Sequence, residues 1–134
     1  MNIVYKDTKE FSTVELEHLF LSVEWASGYF PNKLMIALRN FDTVFSAWDG
    51  DRLVGLVGAM DDGIMNAYVQ YLLVDPAYFG NDIGKTLVSK IKQKYVNYMR
   101  IAIIAYNEEV DFYEKCGFVK NDGASPLFIS ALWD

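Results

Sequence analysis

Residues 67–95 read AYVQYLLVDPAYFGNDIGKTLVSKIKQKY. The first part, Ala67 to Val74, is aliphatic and aromatic and reads as a strand. Beyond Pro76, Ile83, Leu87, Ile91 and Tyr95 recur every four residues while the lysines fall elsewhere, as in an amphipathic helix. Between the two, Gly80 and Gly84 stand at the helix start, with Lys85 in its first turn. Glycines let backbone N–H groups approach a ligand, and a helix N-terminus offers unsatisfied donors and a positive dipole end. This turn can therefore hold an anion such as a pyrophosphate. Glycines in such a place also serve a turn with no ligand.

Downstream, Ile101 to Ala105 is a short, continuous apolar run suited to a central strand, which completes a strand-helix-strand unit from Ala67 to Ala105. Upstream, Thr43 to Trp48 and Arg52 to Met60 alternate with period two around Asp49-Gly50-Asp51, a hairpin signal. The turn Asp61-Asp62-Gly63 links them to the third strand of an antiparallel meander. Asn2 to Tyr5 is a short opening strand. Ser12 and Glu15 form a capping box before Leu16, Leu19, Phe20 and Val23 at helical spacing. Gly28 interrupts that helix, and Pro31 opens another carrying Leu34, Leu38 and Phe41. Glu108 to Cys116 reads as a last helix with Gly117 as its C-terminal cap. Phe118 to Lys120 and Leu127 to Leu132, around Asn121-Asp122-Gly123, read as closing strands. The predicted order is β-α-α-β-β-β-α-β-α-β-β, an α+β fold with a mixed, mostly antiparallel sheet of about seven strands and four helices.

The composition bounds what such a chain does. Its 134 residues make one domain, 1–134, and 52% hydrophobic content supplies a core rather than a disordered chain. Eighteen acidic residues against 12 basic ones, a net charge of -6, argue against a nucleic-acid surface. Residues 75–100 are the exception, with Lys85, Lys90, Lys92, Lys94 and Arg100 against Asp75 and Asp82; this reads either as an anion site or as a solvated helix face. Cys116 is the single cysteine and His18 the single histidine. A disulfide within the chain is thus excluded, and no metal site is expected. The N-terminal residues show no basic start followed by an apolar run, and no stretch reaches the roughly 18 apolar residues of a membrane span. A cytoplasmic protein with no membrane partner is the expectation.

The strand YVQYLLV, the turn VDPAYFGNDIGKTLV and the later FYEKCGF together resemble the core of the GCN5-related N-acetyltransferase (GNAT) family, in motif order and in element order. Motif-level resemblance covers about residues 67–119. It implies acetyl-CoA as acyl donor and an amine as acceptor. It also implies that Leu72, Leu73 and Val74 pair through their main chain with the pantetheine arm, as an added strand would. The family's pyrophosphate loop, Gln/Arg-x-x-Gly-x-Gly/Ala, maps onto Phe79, Gly80, Asn81, Asp82, Ile83 and Gly84, with Lys85 following. Two defining positions depart from it. Phe79 cannot make a guanidinium's charge-assisted bonds, and a carboxylate roughly 5 Å from a phosphate costs about 3 kcal/mol at an effective dielectric near 20. Either CoA binds weakly, or Asp82 turns away as a cap and Lys85 compensates.

In FYEKCGF, Tyr113 matches the tyrosine that protonates the departing thiolate in many relatives, a role suited to a phenol near the sulfur. Asn107 corresponds to an asparagine near the pantetheine, one residue out of the commoner spacing. Tyr71 stands where relatives often carry an acidic residue, which leaves Asp61, Asp62, Glu24 and Tyr71 itself as candidates for the base. The resemblance places the acceptor pocket against the first two helices and the meander, which supply Trp25, Tyr29, Phe30, Tyr71 and Met60. Cys116 and His18 read as structural. The implied activity is acetyl transfer from acetyl-CoA to a small-molecule amine by direct attack, with a catalytically degenerate CoA-binding or protein-interaction module as the alternative. The apolar tail LFISALW suits an internal strand or a homodimer contact.

Overall fold

The computed structural model describes all 134 residues. Five strands form one sheet in sequence order: β1 (Ile3–Lys6), β2 (Thr43–Asp49), β3 (Arg52–Asp61), β4 (Asn66–Val74) and β5 (Arg100–Ile103). β1 to β4 pair antiparallel, and β5 joins β4 in parallel through the crossover helix α3 (Ile83–Lys94). Helices α1 (Thr13–Ser22) and α2 (Pro31–Asn40) precede the meander, and α4 (Val110–Lys115) follows β5.

Local chemistry explains the starts of these elements. Ser12 Oγ accepts from the Glu15 N–H (3.2 Å) while the Glu15 carboxylate accepts from the Ser12 N–H (2.7 Å), so two orphan donors of α1 are satisfied reciprocally. Pro31 opens α2, where its missing N–H costs nothing. The β2–β3 hairpin turns at Gly50, φ +59°.

The sheet buries a core on each face. On one side Leu16, Leu19, Phe20, Leu34 and Leu38 pack against Leu53, Leu56 and Leu73. On the other, Ile83, Leu87, Ile91 and Tyr95 cover Val54, Val57, Ala59, Ala67 and Val69. Tyr95 ends α3 with its hydroxyl 2.6 Å from Thr43 Oγ1 and 2.8 Å from the Asp61 carboxylate, so its one polar atom is satisfied in the interior.

β4 carries a bulge that decides the site. Tyr71 lies opposite Gly58 and Val69 opposite Ala59, so Gln70 is an extra residue with no partner on β3. The alternation therefore changes phase there. Ala67 and Val69 face the α3 core before the bulge, whereas Leu72 and Val74 face it afterwards. Leu73 and Tyr71 turn to the α1–α2 core.

The strand count corrects the sequence reading from seven to five. Phe118–Lys120 and Leu127–Leu132 form no strands. The Phe118 N–H is spent on the carbonyl of Tyr113 at the end of α4, and Leu127 is 91% exposed with no neighbouring edge to pair with. β-Propensity without a partner does not make a strand. β5 also ends at Ile103 rather than Ala105, because β4 diverges from it at the bulge.

Candidate active site

β5 pairs only with Asn66–Val69. From Gln70 onward the outer edge of β4 has no partner strand, while its inner edge stays in register with β3 (Leu72 with Val57, Leu73 with Leu56, Val74 with Gly55). The two parallel strands thus open like a V, and the opening is a cleft of about 660 Å³. Leu72, Leu73 and Val74 form one wall. Ile103 to Tyr106 and α4 form the other, and the end of α1 closes the apex.

At the wide end the chain is held from behind. The buried carboxylate of Asp75 accepts from the Ala77 N–H (3.0 Å) and pairs with Arg52 (2.8 Å), while the Tyr78 hydroxyl donates to Asp49 (2.5 Å). His18 sits beside the Arg52–Asp75 pair, its Nε2 2.9 Å from Arg52 and 3.9 Å from the Asp75 carboxylate. The next residues lead into α3 with Gly80 at φ +86° and Asp82 at φ +58°. The N–H groups of Gly80, Asn81, Asp82, Ile83, Gly84 and Lys85 have no acceptor within the protein. They are a run of donors beside a helix N-terminus, and Lys85 adds a cation with no acidic partner.

Asp82 does not cap α3 as expected. It occupies the N-cap position, but its side chain makes no cap bond, because the left-handed backbone is not the extended conformation from which an N-cap carboxylate reaches the N2 or N3 amide. The same geometry leaves those amides free. Phe79 is 67% exposed at the rim and does not fill the gap. Gly84 leaves the cleft floor open between Phe112 and Val74, where an added Cβ would make ordinary contacts at 3.4 and 3.8 Å. Asn81 lies off the cleft, its amide donating to the Tyr78 carbonyl (2.9 Å), and Asn107, in a short 3₁₀ turn, also lies outside it.

Tyr113 projects from α4 into the cleft wall between the rings of Phe112 and Phe118, with centroids at 5.1 and 5.7 Å. Its hydroxyl has no hydrogen-bond partner in the protein, yet it is not sealed off. Burial, and secondarily the Glu109 and Cys116 charges, push its phenol well above the usual value. The group keeps its proton through the neutral range and can give it to a strong base formed beside it.

At the apex, Trp25 lines the cleft, with its ring 6.4 Å from that of Tyr106. Tyr71 does not line it. The bulge turns it inward, stacked on Phe41 at 5.8 Å and edge-on to Phe20 at 5.1 Å, over Gly58, where a Cβ would lie 2.6 Å from Phe41. Tyr29 and Phe30 are exposed and outside the cleft, as is Met60. Gln70 and Tyr106 are among the cleft residues that the sequence reading passed over, and Glu24, named there as a candidate base, lines the cleft as well. Gln70 carries a sequence signal, a lone polar residue inside Tyr68-Val69-Gln70-Tyr71-Leu72. Asp61 and Asp62 sit at the far end of the meander: Asp61 accepts from Tyr95, and Asp62 accepts three turn amides that hold its carboxyl well below the usual range.

Residues 15–126 match the family model described as acetyltransferase (GNAT) domain. The chain belongs to the GNAT family. Among curated GNAT relatives, an uncharacterised N-acetyltransferase of Pyropia yezoensis is 29% identical over 95% of this chain and 76% of its own length. A chloroplastic GCN5-related N-acetyltransferase of Arabidopsis thaliana is 36% identical over 87% of this chain and 53% of its own. Among solved structures, a GNAT family acetyltransferase from Streptococcus pneumoniae superposes with a TM-score of 0.82 at 25% identity, covering 97% of this chain and 99% of that one. The fold is that of the GNAT family, and acyl transfer is the activity these relatives are named for. No helix of the chain is long and apolar enough to cross a membrane.

Proposed function

We propose that this GNAT protein transfers the acetyl group of acetyl-CoA to the amine of a small molecule by direct attack. The observation that carries the reading is the cleft itself: a free strand edge along Gln70–Val74, leading from Tyr113 to six unsatisfied amides. Those parts fit the donor's shape and charge. The strand edge offers main-chain groups to the pantetheine amides, and the amides of Gly80 to Lys85 offer donors to the diphosphate, aided by the Lys85 ammonium. When bound, acetyl-CoA supplies the thioester carbonyl as electrophile. Tyr113 holds the proton that the leaving sulfur requires, and the aliphatic wall of Leu72 and Ile103 keeps bulk water from the carbonyl.

Calorimetric titration with acetyl-CoA, followed by thiol release over a panel of amines, tests this. Saturable binding with turnover supports it, and no binding at millimolar acetyl-CoA overturns it. We further infer a homodimer through the tail, where Leu127 and Ile129 are exposed beside the Phe128–Trp133 ring pair.

A further inference from the structure

Two residues other than glycine adopt left-handed backbone, Glu24 (φ +61°) and Asp82 (φ +58°), and both line the cleft, one at each end. At Glu24 the cause is visible. The Glu24 N–H bonds to the Leu21 carbonyl (3.0 Å) and the Trp25 N–H to the Phe20 carbonyl (3.1 Å). This double closure of a helix ordinarily places glycine where Glu24 stands. A glutamate there carries a conformational cost that glycine would avoid.

The closing hydrogen bonds and the Trp25 ring, packed edge-on against Phe20 at 6.0 Å, offset part of that cost, but the Glu24 side chain itself adds nothing. The Glu24 carboxylate accepts no hydrogen bond and joins none of the four ion pairs. Its neighbour Trp25 presents a ring to the cleft, facing that of Tyr106 across the apex. The only cation lining the cleft, Lys85, is at the opposite, wide end. An unpaired carboxylate lining the same end of the cleft as two aromatic rings suits an organic cation. The nitrogen that attacks a thioester must be neutral, so a nitrogen held there as an ammonium is not the reacting one.

We propose that Glu24, with Trp25 and Tyr106, binds a second positive charge on the acceptor, so that the enzyme selects diamines over monoamines. This rests on the transferase reading above and names the acceptor class for the same cleft.

The test compares 1,4-diaminobutane with n-butylamine by thiol release from acetyl-CoA, for the wild type, Glu24→Gln, Glu24→Gly and Glu108→Gln, with acetyl-CoA binding measured calorimetrically on each. The wild type is expected to favour the diamine in kcat/KM by about tenfold, the scale of one charge-assisted contact. Glu24→Gln and Glu24→Gly should erase the preference through a raised diamine KM while acetyl-CoA still binds. Glu24→Gly should in addition melt at a higher temperature than the wild type, because it relieves the backbone. Equal use of the two amines by the wild type overturns the inference, as does a preference that survives Glu24→Gln or is lost instead in Glu108→Gln. Acetyl-CoA binding without turnover of either amine also overturns it. If acetyl-CoA does not bind, the transferase reading itself fails, and the inference with it.

Discussion

Tyr113 is the residue whose surroundings say most about its chemistry. A phenol whose hydroxyl has no protein partner, held between two rings, is poorly solvated as an anion, so it stays protonated. Tyr113→Phe should lower kcat by about a hundredfold in a thiol-release assay, with acetyl-CoA affinity retained. The pH dependence has a definite sign. The folded pKa lies above the ordinary 10.0, so the unfolded chain loses this proton first. The stabilisation is complete below pH 10 and is lost as pH rises through the folded value. Activity should accordingly show no descending limb from Tyr113 below pH 10. Asp82 gives a second prediction. Asp82→Gly removes a charge beside the free amides and suits φ +58°, so acetyl-CoA should bind about threefold to tenfold more tightly by calorimetry. The Gly80–Lys85 turn could be picked out in the chain from its glycines and lysine, and Tyr113 only through the resemblance that FYEKCGF carries. Glu24 stands there only among the candidate bases; its left-handed backbone was not legible, since glycine is the residue that ordinarily marks such a helix end.

At the level of elements, the bulge in β4 does the sorting. One extra residue sends Tyr71 into the α1–α2 core and leaves Gln70 facing the cleft, and it also ends the pairing with β5. Gly58 belongs to the same device, because only a residue without a side chain lets Phe41 lie across β3 and stack on Tyr71. Gly58→Ala should destabilise the protein by about 1 to 3 kcal/mol in urea unfolding, through overpacking of a ring with little room to shift. Helices α1, α2 and α3 and the hairpin were readable from caps, Pro31, fourfold spacing and Asp49-Gly50-Asp51. The bulge was not, because both phases of the strand are built from the same aliphatic and aromatic residues. Tyr29 and Phe30 failed as pocket residues for a related reason: aromatic character says that a side chain can bind a ligand, not which way it points.

For the molecule as a whole, the tail is the unbalanced part. It exposes Leu127, Phe128, Ile129 and Trp133, while the Asp134 side chain is tied to Ser27, accepting from its N–H at 2.8 Å and from its hydroxyl. A cluster of apolar side chains left in water favours association. Sedimentation equilibrium should report a dimer, and replacing Leu127 and Ile129 together with Ser should shift it to monomer without loss of acetyl-CoA binding; a wild-type monomer at millimolar concentration would refute the dimer.

The chain alone determined the order of its elements as far as α4, the face that α1, α2 and α3 bury and the glycine-bearing turn ahead of α3, since periodicity, caps and turn residues act over a few neighbours. Which side chains meet at the cleft was decided by tertiary structure. The extra residue in β4, which sends Tyr71 onto Phe20 and Phe41 and leaves Gln70 in the cleft, is fixed by pairing and packing between segments far apart in sequence, and no local pattern encodes that.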